Sequence, residues 1–180
     1  MIALEDLNPL DRASFVSALD GIFEHSPWIA EQAWERRPFA DLRQLHQTLV
    51  EVVQASSEED KLRLIRAHPD LVGAAARAGT LTRESTAEQA RIDDLTPEDI
   101  ARFERDNARY WERFGFPFVI CVRENKKQAI LAGFTSRLRH DPATEQRNAL
   151  DEISKIAWYR LKDRICEPPT HPADMDYRHG

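Results

Sequence analysis

Four times in this chain a residue able to cap a helix is followed directly by proline: Asn8-Pro9, Ser26-Pro27, Thr96-Pro97 and Asp141-Pro142. A capping oxygen satisfies the free N–H groups at a helix start. Proline at the first helical position loses nothing, because its missing N–H would have had no partner there. Each pair therefore predicts a new helix. The apolar residues behind each pair keep helical spacing. Leu10, Phe15, Leu19, Ile22 and Phe23 follow the first pair, and Trp28, Ile29 and Trp34 the second. Ile100, Phe103, Tyr110, Trp111 and Phe114 follow the third and end at Gly115, a residue suited to a helix C-terminus. Leu150, Ile153, Ile156, Ala157, Leu161 and Ile165 follow the fourth. Three more helices are predicted from Leu42–Val53, from Leu62–Ile65 behind the acidic entrance Ser56–Asp60, and from Ile130–Leu138.

One apolar stretch, Phe116–Val122, does not follow this rule. It is β-branched and aromatic and contains Pro117. With no second strand in view it reads as a buried extended segment. The expected fold is all-α: a compact irregular bundle of about seven or eight helices with one short extended segment. Residues 1–166 form a single domain on this reading. Residues 167–180 form a polar tail, expected to be disordered.

The formal net charge of -6, with no basic stripe, argues against nucleic acid, whose affinity comes largely from Lys and Arg on phosphates. No apolar run approaches the roughly 20 residues that span a bilayer. The acidic N-terminal residues do not suit a signal peptide. Cys121 and Cys166 have neither disulfide-framework nor zinc spacing, and free thiols in a reducing cytoplasm are expected.

Proton chemistry concentrates between Ala67 and Arg91. Pro69 disfavours the α conformation at His68, so His68 should close a helix and face the space opened by the turn. Its intrinsic pKa suits a general acid or base, and a helix C-terminus favours the imidazolium. The plain alternative is a histidine that only satisfies the helix dipole. Ser85-x-x-Glu88 matches a capping box with Ser85 as the cap, and a helix start there could also bind an anion. Arg160 shares a face with Ile153 and Ile156. It either snorkels to the rim or meets a buried anion, and its functional alternative is bidentate capture of a substrate carboxylate or imide edge. The backbone of Phe116–Val122 needs partners that a flat heterocycle could supply.

The segments HPDLVG, GTLTRESTAEQ, FGFPFVICVR and EISKIAWYRL resemble the 2-oxo-4-hydroxy-4-carboxy-5-ureidoimidazoline (OHCU) decarboxylase family, from about Phe15 to about Ile165. The resemblance implies a lyase of urate breakdown that yields (S)-allantoin, working as a cofactor-free, metal-free cytoplasmic homodimer. It implies His68 as the catalytic histidine and Glu88 as its partner carboxylate, with Glu88 orienting the imidazole. It also implies substrate contacts from Pro69, Ser85, Gln89, Arg160 and backbone groups of Phe118, Val119 and Ile120. The link Ala90–Leu95 departs from the family's pattern, being a couple of residues shorter and lacking its customary glycine. A non-catalytic helical interaction or scaffold module of the same fold is the alternative.

Overall fold

The computed structural model describes residues 1–92 and 94–166. The expected tail at 167–180, and residue 93 of the shortened link, lie outside the described residues.

Among the described residues, ten helical segments follow one another: α1 (Leu4–Leu7), α2 (Arg12–Ala18), α3 (Pro27–Ala33), α4 (Leu42–Ala55), α5 (Glu58–Ala67), α6 (Ala74–Ala78), α7 (Arg83–Gln89), α8 (Pro97–Phe114), α9 (Lys127–Arg137) and α10 (Pro142–Arg164). A single 3₁₀ turn, Trp34–Arg36, extends α3. The two segments beyond the expected number are α1 and α6, of four and five residues. Each is too short to show a periodic stripe. The long C-terminal α10 packs on α4 and α5, α3 packs on α2 and α4, and α9 packs on α8. Phe15, Leu45, Leu49, Leu64, Ile65, Phe103, Tyr110 and Leu161 lie fully buried between these layers.

Three of the four predicted starts hold. Thr96 makes a reciprocal capping box with Asp99, and Asp141 accepts from the Thr144 N–H. Ser26 precedes Pro27 at the head of α3, although its hydroxyl turns to the Glu24 carbonyl instead of capping. Asn8-Pro9 does not start a helix. Asn8 closes α1, and Asp11 caps α2. The Asn8 amide is spent on the Phe39 main chain, donating to its O and accepting from its N–H at 2.9 and 2.8 Å. The periodic stripe from Leu10 to Phe23 also overran its helix. The helix α2 ends at Ala18, and Gly21, at φ 77°, turns the chain so that Ile22 and Phe23 enter the core from a loop.

Gly115 ends α8 in the left-handed conformation, φ 73°, as its position predicts. Phe116–Val122 lies outside helix and strand, as expected for a buried extended run. Among the described residues, the only strand pair lies elsewhere. Ile2–Ala3 (β1) runs parallel to Ile165–Cys166 (β2) and joins the two ends of the described chain. Pairs this short carry no period-2 signal.

Candidate active site

His68 is the residue that closes α5. Its backbone leaves the helix at φ -76°, ψ 138°, the extended conformation that Pro69 favours. The ring is buried, and its Nδ1 lies 3.0 Å from the Leu64 carbonyl one turn back. That bond makes Nδ1 the protonated nitrogen of a neutral ring and leaves Nε2 as a bare acceptor. Among the described residues, Nε2 has no hydrogen-bond partner.

Behind His68 sits a buried cluster of charges. Arg160 of α10 grips Glu88 of α7 through two bonds, Nε to Oε1 at 2.8 Å and Nη2 to Oε2 at 2.7 Å. Its Nη1 reaches Glu24 Oε2 at 2.9 Å and the Gly21 carbonyl at 2.8 Å. Glu24 also accepts from Thr82 Oγ1 at 2.6 Å and Ser85 Oγ at 3.2 Å. Burial pushes the Glu24 carboxyl up, but Arg160 and the Thr82 hydroxyl outweigh it and hold it below the usual range. Burial alone would lower the Arg160 pKa. The two carboxylates reverse that and hold the guanidinium charged.

The electrostatics of His68 run against the sequence expectation of an imidazolium. Burial, reinforced by the Arg160 charge, lowers its pKa to about 4. Glu24 and the Leu64 carbonyl push upward and lose. At neutral pH the ring is uncharged.

A half-enclosed hollow opens beside this cluster. His68, Pro69, Ser85, Glu88 and Gln89 line it together with Phe118, Val119 and Ile120. Eight of the nine residues singled out from the sequence therefore meet around one space. Arg160 is the ninth and does not line it. Of its two expected fates this arginine takes the second: it meets buried anions, Glu88 and Glu24, and its guanidinium is consumed there and not turned to the hollow. Glu88 in turn orients Arg160, while the Leu64 carbonyl fixes the His68 ring. Ser85 also differs from expectation. Thr82 is the cap of α7, accepting from the Ser85 N–H, so no Ser85–Glu88 capping box forms. Thr82 is itself a good capping residue, and the box pattern placed the start three residues late.

Gln89 secures the turn after His68. Its Oε1 accepts from the Val72 N–H at 2.9 Å, and its Nε2 donates to the Asp70 carbonyl at 3.2 Å. The facing extended segment is held from behind. Arg137 donates to the Val119 carbonyl at 2.7 Å and lies over the Phe118 ring at 4.5 Å. Arg137 is itself clamped to the fully buried Glu145, which also accepts from Tyr110 and meets His140 at 2.9 Å. Phe118 stacks on Phe134 at 3.9 Å, and Gly133 of α9 lies beneath it. A Cβ on Gly133 would come within 3.2 Å of the Phe118 ring. Glu152 accepts from the Cys121 N–H at 2.7 Å. Among the described residues, the N–H groups of Phe118, Val119 and Ile120 receive no such partner.

Sequence reasoning missed Glu24. The available signal was a carboxylate directly behind Ile22-Phe23, where a charge entering the core needs a cationic partner. It also missed Arg123 and Tyr159, which line the hollow. Among the described residues no group of His, Cys, Asp and Glu side chains could hold a metal ion, and no helix is long and apolar enough to cross a membrane.

Fold and site together define a helical protein with a half-enclosed small-molecule hollow, whose neutral imidazole and half-buried Glu88 carboxylate suit proton transfer on a polar, flat ligand. The comparisons with known proteins agree. A sequence model described as OHCU decarboxylase matches residues 8–162, and the chain belongs to that family. It is 42% identical over 166 residues to the 2-oxo-4-hydroxy-4-carboxy-5-ureidoimidazoline decarboxylase of Haloferax volcanii, covering 91% of this chain and 96% of that one. The enzyme of the same name from Amia calva is 39% identical over 170 residues, covering 93% and 97%. Among solved structures, a crystal structure of (S)-allantoin synthase superposes with a TM-score of 0.75 at 32% identity, covering 92% of this chain and 54% of that one.

Proposed function

We propose that this chain is a carboxy-lyase that converts 2-oxo-4-hydroxy-4-carboxy-5-ureidoimidazoline to (S)-allantoin in urate breakdown. The observation that carries the reading is the bare Nε2 of a neutral His68, on the same hollow as Glu88 and the free N–H groups of Phe118–Ile120.

The chemistry follows from what decarboxylation must do. The substrate's ring carbon carries both a hydroxyl and a carboxylate. As CO2 leaves, the bonding pair passes into the ring, and the hydroxyl must surrender its proton to become the product's carbonyl. His68 Nε2 accepts that proton. The imidazolium so formed, favoured by the Glu24 carboxylate, returns it to the ring carbon that bears the ureido arm. Delivery from one face sets the S configuration. One more proton comes from solvent, so one is consumed per CO2 released. Positioned proton transfer of this kind contributes roughly 10²–10⁴-fold.

Glu88 has lone pairs left after the Arg160 clamp, and these accept from ring and ureido N–H groups. Arg160 on this reading acts through Glu88. Ser85 and Gln89 close the hollow and fix its walls, Pro69 packs beside the ring, and the backbone of Phe118, Val119 and Ile120 donates to carbonyl oxygens as charge develops.

Replacing His68 by Asn and Glu88 by Ala, with folding checked by circular dichroism, should each cut formation of (S)-allantoin at least about 100-fold. Near-wild-type optical rotation kinetics in both variants would remove the assignment. A non-catalytic scaffold is not favoured, since two unpaired buried polar atoms on one hollow are costly unless a ligand satisfies them. The reading includes a cofactor-free, metal-free cytoplasmic homodimer. Turnover after exhaustive chelation tests the absence of a metal, and a molar mass from light scattering tests the dimer.

A further inference from the structure

Among the described residues, three buried side-chain polar atoms have no hydrogen-bond partner: His68 Nε2, Asn107 Oδ1 and Arg123 Nε. Two of these three belong to residues that line the same hollow. One is an acceptor and the other a donor. Native proteins rarely leave such atoms unpaired, and a pair of opposite character around one space calls for a ligand that supplies the complement.

Arg123 is built to present that donor. Both terminal nitrogens of its guanidinium are bound to the Asp163 carboxylate, and the group lies over the Tyr159 ring at 5.3 Å. The head group is fixed in direction before any ligand arrives. Among the described residues it is also the only Lys or Arg side chain on this hollow, since Arg160 is turned away onto Glu88 and Glu24. Asp163 already answers its positive charge. The remaining Nε–H therefore suits a neutral carbonyl oxygen better than a carboxylate. His68 lies deep, at 7% exposure, whereas Arg123 also borders a second, polar hollow on the surface. The reacting end of the ligand belongs at the histidine, and its arm reaches toward the arginine.

We propose that Arg123 is a substrate-recognition residue, whose Nε–H donates to the carbonyl oxygen of the ureido arm while His68 Nε2 faces the ring hydroxyl. This rests on the function proposed above. It makes Arg123 a determinant of which 5-substituent the site accepts. Because the arm survives the reaction, product binding depends on Arg123 as much as substrate binding does.

The test uses Arg123→Leu, which removes the donor, and Arg123→Lys, which keeps a charge beside Asp163 but has no N–H at that point of the chain. Inhibition of turnover by (S)-allantoin is measured in each, together with the titration of the His68 ring by NMR. The expected result is allantoin binding weaker by about tenfold or more in both variants, as for loss of one charge-assisted bond, with the His68 titration unmoved. Unchanged allantoin binding in both variants overturns the proposal. So does a loss accompanied by a shifted His68 titration, which would mark a general disturbance of the site. If Arg123→Leu fails to fold, Arg123→Lys decides by the same criteria. A wild-type protein that forms no allantoin at all would instead overturn the proposed function.

Discussion

Acidification is the perturbation that most directly tests how His68 is held. An exposed histidine titrates near 6.5, and His68 in the fold titrates near 4. A base whose folded pKa is depressed stabilises the fold fully above its unfolded pKa. That stability is lost as pH falls through the interval between the two values and is gone below the lower one. Each pKa unit is worth 1.36 kcal/mol, so the loss between pH 7 and pH 4 amounts to roughly 3 kcal/mol. Other groups contribute to the pH dependence as well, and burial raises the Asp70 carboxyl. Measuring wild type against His68→Asn, which carries no proton to gain, removes their shared contribution. Urea denaturation at half-unit steps from pH 7 to 4, with equal slopes in both proteins, gives the difference directly. The stability of wild type relative to the variant should fall by roughly 3 kcal/mol across that range. A difference that stays flat would show that His68 is not a buried neutral ring. The acid limb of kcat/KM should likewise lie closer to pH 4 than to 6.5.

Further outcomes follow from the buried clusters. Glu24→Ala strips Arg160 of one carboxylate and leaves the Thr82 and Ser85 hydroxyls without their acceptor. It should cost about 3–5 kcal/mol in denaturant titration, and a loss below about 1 would contradict the network. Arg137→Met frees the Val119 carbonyl and should lower kcat and kcat/KM together in steady-state assays, because it loosens backbone donors that meet charge developing as CO2 leaves. Gly115→Ala strains a left-handed helix end and should lower stability by about 1 kcal/mol, read as a lower denaturation midpoint.

Helix starts were legible wherever a capping side chain carried its own local signal, as at Thr96 and Asp141. Asn8 was misread because an asparagine amide serves a distant main chain as well as a near one, and sequence does not say which. Ser85 was misread because two capping residues stood three apart. The residues around the hollow were legible as a set through the family resemblance. Their couplings were not. Whether Glu88 faces His68 or Arg160 depends on where α10 lies against α7, and nothing local in either helix fixes that. The protonation of His68 was invisible for the same reason. The helix end argued for charge, while burial and a guanidinium from another part of the chain decided against it.

The missing side chain at residue 133 gives α9 a further role. With a methyl there, the Phe118 ring would have to retreat by a few tenths of an ångström, and Phe134 blocks its stacking side. Arg137 lies over the ring and Tyr110 meets it edge-on, so the push passes to the Phe118–Ile120 segment that lines the hollow. The caliper of the binding slot can thus be adjusted from the rear, at a position that never meets the substrate.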